Sequence, residues 1–244
     1  MATRFESDHN GRFPTTHCSV LRGLRSDDAS MRARSLERLA ETYWKPIFNY
    51  LRLRWHKDTT EAQEITQEFF VRCIGKGTFA SYVEDRARFR TFVRICLDRF
   101  VLDLARREHA EKRGGALKQT VDCEAADWER LADPAAPAPE ALFEAEWACS
   151  VVDHAVESLR ASCAKKGKDI HFRVFERVHL ASGQEKPSYA AIANELGISI
   201  VDVTNRLSYA RRELRAIILE ALRELTTSDE ELRNEARLVF GIEL

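Results

Sequence analysis

The residues with the most chemistry to offer are gathered in Ser188-Tyr-Ala-Ala-Ile-Ala-Asn-Glu-Leu-Gly-Ile-Ser-Ile-Val-Asp-Val-Thr-Asn-Arg-Leu-Ser-Tyr-Ala-Arg-Arg212. Two short helices that cross steeply need a small residue at the point of closest approach, and Ala193 supplies one. They need a residue tolerant of positive φ in the turn, and Gly197 is placed there. Ser199 can cap the second helix, Val203, Leu207 and Leu214 can anchor its inner face, and Ile192, Leu196 and Ile198 can close the core. This is the spacing of a DNA-binding helix-turn-helix. Its outer face offers Asp202, Thr204, Asn205, Arg206, Ser208, Tyr209, Arg211, Arg212 and Arg215. Polar side chains at the start of such a helix reach base edges in the major groove, and arginines towards its end suit phosphates. A plain helical hairpin with a solvated basic face would carry many of the same residues.

A second stretch interleaves aromatic and basic side chains: Phe89-Arg-Thr-Phe-Val-Arg-Ile-Cys-Leu-Asp-Arg-Phe-Val-Leu-Asp-Leu-Ala-Arg-Arg107. Aromatic rings stack on unpaired bases while arginines hold a backbone, which is the chemistry of single-strand capture. Taken singly, each Phe also fits a core position. No serine–histidine–acid cluster, phosphate loop or metal-ligand set is visible, so no catalytic residue, metal or cofactor is expected. Six cysteines (Cys18, Cys73, Cys96, Cys123, Cys149, Cys163) are widely spaced without a CxxC pair, arguing against a disulfide framework or a zinc ribbon. Cys149 and His154 alone are too few for a metal site.

The elements that must position these residues are helical almost throughout. Leu36, Leu39, Ala40, Tyr43, Trp44, Ile47, Phe48 and Leu51 mark one helix, which Pro46 should kink or split. Thr59 or Thr60 can cap the next, with Glu61 and Glu64 in its first turn and Ala62, Ile65, Phe69 and Cys73 inward. A third runs from near Ala87 to about Arg107. Helices recur at roughly 140–164 and 170–181, followed by the pair at 188–223, and Ser228-Asp-Glu-Glu231 signals a last one through a capping box.

The 244 residues carry a formal net charge of −1, unevenly distributed. Residues 34–113 hold 17 basic against 12 acidic side chains and 159–225 hold 12 against 8, whereas 114–158 hold 2 against 10. Asp133-Pro-Ala-Ala-Pro-Ala-Pro139 reads as a linker. The expected fold is all-α: two small helical domains joined by an acidic, Pro/Ala-containing linker, the second containing the helix-turn-helix. The boundaries are an N-terminal extension 1–33, a first domain 34–113, a linker 114–139, a second domain 140–225 and an acidic C-terminal extension 226–244 that could fold against a basic domain. No apolar run is long enough for a membrane span and the opening Met1–Asp8 has no signal-peptide core, so a cytoplasmic protein with no membrane insertion is expected.

In order along the chain, these stretches resemble bacterial sigma factors of the extracytoplasmic-function group. Glu61-Ala-Gln-Glu-Ile-Thr-Gln-Glu-Phe-Phe-Val-Arg72 is similar to that family's polymerase-binding helix. Phe89 to Arg107 is similar to its promoter-melting and minus-ten-reading helices, and Ser188 to Arg215 to its minus-thirty-five-reading helix-turn-helix. Arg12-Phe-Pro-Thr-Thr16 and Glu111-Lys-Arg-Gly-Gly115 resemble a subset with an N-terminal extension.

The resemblance implies a chain that binds core RNA polymerase and promoter DNA and performs no covalent chemistry itself. Glu61, Glu64, Ile65, Glu68 and Phe69 would meet the polymerase. Phe92, Arg94, Arg99, Phe100, Arg106 and Arg107 would contact the minus-ten element. Ser199, Thr204, Asn205, Arg206, Tyr209, Arg211 and Arg212 would address the minus-thirty-five element. Two positions depart from the family pattern: Gln63 replaces an acid and Asp98 an Asn. A phosphate on Thr59, Thr60 or Thr66 would restore the charge lost at Gln63, which implies a Ser/Thr kinase as regulator, with an anti-sigma factor as the other regulatory partner. The rival readings are a dimeric helix-turn-helix repressor or activator acting without core polymerase, and a helical scaffold that binds no DNA.

Overall fold

The computed structural model describes residues 20–83, 86–112 (side chains as far as Arg107), 138–181 and 187–244. The N-terminal motif at Arg12–Thr16, most of the Pro/Ala linker and the Gly114-Gly115 pair lie outside the described residues. Within them are nine α-helices, one 3₁₀ turn and no strand. The helices are α1 (Val20–Gly23), α2 (Ala29–Arg54), α3 (Thr59–Gly75), α4 (Phe89–Lys112), α5 (Pro139–Lys165), α6 (Asp169–His179), α7 (Tyr189–Leu196), α8 (Ile200–Glu224) and α9 (Asp229–Phe240), with the 3₁₀ turn at Thr78–Ser81. The chain is all-α.

Local signals set most helix ends, with three differences from expectation. Helix α2 is not split at Pro46 but continues through it as one element. A mid-helix proline costs about 3 kcal/mol, but Tyr43, Ile47, Tyr50 and Leu51 around it are all fully enclosed, and that packing outweighs the lost bond. Helix α3 is capped by Asp58 rather than by Thr59 or Thr60. The Asp58 carboxylate accepts from the Glu61 amide at 2.9 Å and the Glu61 carboxylate accepts from the Asp58 amide at 3.4 Å, so both orphan donors are met one residue earlier. At α9 the expected box is half formed. Ser228 Oγ accepts from the Glu231 amide, but the Glu231 carboxylate accepts from the amide and hydroxyl of Thr227 instead.

The buried side chains form two clusters. One takes Leu39, Tyr43 and Tyr50 from α2, Phe69 from α3, Val93 and Leu97 from α4, Phe143 and Trp147 from α5, Leu222 from α8 and Leu232 from α9. The other joins Leu159 and Cys163 of α5 to Phe172 and Phe175 of α6, Ile192 of α7 and Val203 and Leu207 of α8. Helices α5 and α8 therefore serve both clusters at opposite ends, with Leu214 and Ile217 of α8 packed against each. Helices from both basic blocks and from the acidic C-terminal extension thus build a shared core, and Val20, Leu21 and Leu24 from the end of the N-terminal extension join it.

Polar ties reinforce this arrangement. Arg90 of α4 is 3% exposed and pairs with Glu235 of α9, itself 5% exposed, and with Glu144 of α5 at 2.9 Å. Its guanidinium lies over the Trp147 ring at 4.9 Å, and Arg88 adds a 3.0 Å ion pair to Glu235. Arg38 of α2 donates to Glu224 of α8 at 2.9 Å and Asn49 of α2 to Glu146 of α5 at 2.6 Å. The acidic tail helix packs on α8 and pairs its Glu235 with Arg88 and Arg90 at the start of α4.

Candidate nucleic-acid interface

The hairpin of α7 and α8 is built as its residue types require. Ser188 Oγ accepts from the Ala191 amide at the start of α7. Gly197 ends α7 at φ 65°, ψ 36°, and the next amide, that of Ile198, donates back to the Ala193 carbonyl at 3.0 Å. Ser199 then caps α8 reciprocally with Asp202, whose carboxylate accepts from the Ser199 amide at 3.2 Å and its hydroxyl at 2.7 Å. Those bonds hold the Asp202 carboxyl below its ordinary 3.8. Ile192, Ala193, Val203 and Leu207 are buried, so the inner face is apolar as expected.

No atom lies within 4 Å of where a Cβ would stand on Gly197, so the need for glycine is conformational alone. Gly197→Ala is expected to cost about 1–2 kcal/mol through its left-handed backbone. Gly75→Ala, equally open but at a helix end without positive φ, should cost nothing measurable in the same urea titrations. Equal effects of the two changes would remove the turn as the cause.

The outer face of α8 presents Ile200, Val201, Thr204, Asn205, Ser208, Arg211, Arg212 and Arg215 as exposed side chains. Arg206 and Tyr209 are half-buried. The Tyr209 ring has the Lys168 ammonium 3.8 Å from its centroid, the Arg212 guanidinium at 5.5 Å and the His171 ring edge-on at 5.0 Å. Burial, then the charges of Arg206 and Lys168, hold His171 below its ordinary 6.5. Arg211 donates to His179 at 3.2 Å, and Arg215 donates to the Glu243 carbonyl. Ser199 and Asp202 are occupied by the cap, whereas Thr204, Asn205, Arg211 and Arg212 face solvent.

On α4 the expected set divides. Arg99, Arg106 and Arg107 are exposed, Phe92 is half-buried against Tyr82, and Arg94 is paired with Asp98 at 2.8 Å and Glu140 of α5 at 3.0 Å. Phe100, expected at a nucleic-acid surface, is instead buried edge-on to Phe69 with Arg72 over its face. Arg54, Trp55, Arg94, Asp98, Arg99 and Arg106 line a groove of about 390 Å³ between the end of α2 and the middle of α4.

Asp98 forms part of its wall, accepting from Tyr50 at 3.0 Å, Trp55 at 3.3 Å and Arg94. Its carboxyl is therefore satisfied within the protein. Burial pushes it above its ordinary 3.8, against the pull of those donors. The folded chain binds this proton where the unfolded chain has released it, so the group's contribution is largest below 3.8 and declines as pH rises through the folded-state value. The stability of the native chain relative to Asp98→Asn should accordingly fall between pH 3.8 and neutrality in urea titrations at stepped pH. A difference independent of pH would show that Asp98 does not titrate on unfolding.

On α3, Glu61, Glu64 and Glu68 are exposed, Ile65 is half-buried, and Val71 and Ile74 extend the exposed face with apolar surface. Phe69 does not belong to that face: it is fully buried against Phe70, Phe79 and Phe100. Thr66 is likewise fully buried, and its hydroxyl donates to the Ala62 carbonyl at 2.6 Å, so a kinase could not reach it in the folded chain. Thr59 and Thr60 are exposed, and the Thr59 hydroxyl accepts from Arg52.

Compared with known protein families, residues 18–219 match the family described as ECF sigma factor. The chain belongs to the ECF sigma factor family. Membership gives it a role in transcription initiation, and the family's partners are core RNA polymerase and promoter DNA. No curated protein and no solved structure matches the chain. Among the described residues of this sigma factor, no helix is long and apolar enough to cross a membrane, and no group of three His, Cys, Asp or Glu is arranged to hold a metal ion.

Sequence reasoning missed the exposed apolar residues of the sigma factor. Ile200, Val201 and Val71 carried no role in the sequence and Trp44 only marked a helix, because periodicity places residues on a face without telling which faces stay bare. Trp44 stacks on Phe70 at 5.8 Å yet keeps one side open to solvent.

Proposed function

We propose that this sigma factor binds core RNA polymerase through the exposed face of α3 and reads two promoter elements through α4 and α8. The observation that carries the reading is the face of α8. A capped, glycine-turned helix exposes Thr204 and Asn205 in its early turns and Arg211 and Arg212 further along, over a fully apolar inner side. Base edges and phosphates demand that order. Tyr209 and Arg206 flank the stripe, and Lys168 and Arg212 hold the Tyr209 ring.

Polymerase docking falls to Glu61, Glu64 and Glu68, with Ile65, Val71 and Ile74 as apolar contacts; Phe69 supports the helix from beneath. Minus-ten contact falls to Arg99, Arg106 and Arg107 around the groove, with Phe92 at its flank. Arg94 joins them once its bonds to Asp98 and Glu140 exchange for DNA. Phe100 holds the helix in place from the core. Phosphorylation at Thr59 or Thr60 supplies negative charge beside Gln63 at the N-terminus of α3, where a phosphate is favourable and Arg52 lies within reach. A Ser/Thr kinase is the regulator on this reading, and an anti-sigma factor the alternative.

The test is transcription in vitro by core polymerase with and without the chain on fragmented genomic DNA. New start sites sharing two upstream motifs are expected. Binding to core polymerase without starts would direct attention to Thr59 and Thr60, and full activity of the Thr59→Ala, Thr60→Ala double variant in cells would remove the kinase. Failure to bind core polymerase would overturn the reading and leave a repressor acting on duplex DNA alone.

A further inference from the structure

Val201 and Ile200 occupy the first two positions of α8 and are 68% and 53% exposed, although nothing in the fold requires two bulky β-branched residues there. Val201 is the most exposed of the large apolar side chains described, on a helix whose opposite side is fully packed. Thr204, one turn on, spends its hydroxyl on the Ile200 carbonyl at 3.2 Å, leaving its methyl group as what it offers outward. Asn205 is exposed one turn beyond Val201. Asp202, the one carboxylate in this first turn, is committed to Ser199 and so is withdrawn from accepting a cytosine amino group. The arginines of the exposed face begin at Arg211, two further turns along.

In the major groove, cytosine is read by a carboxylate, guanine by Arg or Lys, adenine by an Asn or Gln amide, and thymine through its C5-methyl group by apolar contact. We propose that Val201 and Ile200 are specificity-determining residues that read thymine methyl groups. The upstream promoter element then places A·T pairs under the start of α8, with Asn205 bonding the adenine edge in the same stretch. This rests on the minus-thirty-five reading given above and adds to it the base class recognised. The apolar pair excludes water from the methyl group, which a polar residue at the same place would leave hydrated.

The experiment selects duplexes from a random library with the holoenzyme, then replaces each thymine of the selected upstream element by deoxyuridine, which removes the methyl group alone. At one or more positions the native protein should lose about fourfold in affinity, the worth of one buried methyl-sized group. In the Ile200→Ala, Val201→Ala double variant that loss should vanish, so that thymine and deoxyuridine duplexes bind alike. Both side chains are exposed, so the variant folds, and its helical circular dichroism and core-polymerase binding check this. A selected element whose thymines tolerate deoxyuridine throughout would overturn the inference while sparing the promoter reading. So would a methyl preference that survives in the variant. Selection of no upstream element at all would overturn the promoter reading itself, and this inference with it.

Discussion

Glu235→Ala is expected to destabilise the chain by about 3 kcal/mol, the lower end of what breaking a buried ion pair costs. The change leaves both Arg90, 3% exposed, and Arg88 with Glu144 as their shared remaining carboxylate partner. The pair itself need contribute little net stability, since desolvation offsets its attraction, and the loss comes from the charge left behind. Replacing both members, as Arg90→Met with Glu235→Leu, should therefore recover most of the loss. The comparison is Asp153→Ala, which breaks an ion pair to Lys45 with both side chains more than half exposed and should cost less than about 1 kcal/mol. Urea midpoints of the four proteins check this. A Glu235→Ala loss no larger than that of Asp153→Ala would show that α9 is not tied to α4 through this pair.

Arg211→Ala with Arg212→Ala should give the largest change in DNA binding. Each phosphate left without its arginine takes about 0.9 off the slope of log affinity against log salt, so the pair should lower the slope by about 2. Affinity at low salt should fall for every sequence alike, because arginines on phosphates position the protein without reading bases. Both residues are exposed, so folding should be untouched. Arg233→Ala, exposed on α9, is the control and should leave the slope unchanged. Measurement is by holoenzyme titration on its own promoter at stepped salt. An unaltered slope in the double variant would take these arginines off the phosphates.

The two predictions address different links between sequence and function. The α8 stripe depends on short-range order: a cap, a turn glycine and an apolar inner face within one run of residues. The Arg90 site depends on three helices arriving together, and Glu235 stands 145 positions from its partner. A change at the first alters what the sigma factor recognises, and a change at the second alters whether its parts stay assembled.

What the residues alone determined was local. Helical periodicity specified an all-α chain because every helix must bury one stripe, and apolar residues three and four apart mark it. Ser199, Gly197 and the anchors Val203 and Leu207 marked the hairpin because caps, positive φ and inner faces involve neighbours within a few positions. The acidic start of α3 and the basic outer face of α8 were visible for the same reason.

Tertiary structure decided what no window of sequence contains. It kept α2 whole across Pro46, since burial on both sides outweighed the broken bond. It sent Phe69 and Phe100 into the core and left Val201 and Trp44 partly bare, because a helix with apolar residues on more than one face buries whichever its neighbours cover. It enclosed Thr66 while leaving Thr59 and Thr60 in reach. It drew α9 onto Arg90, because a buried guanidinium needs a carboxylate wherever along the chain one can be found. Local chemistry sets what each helix can offer, and only the packing of distant helices decides which part of that offer faces solvent.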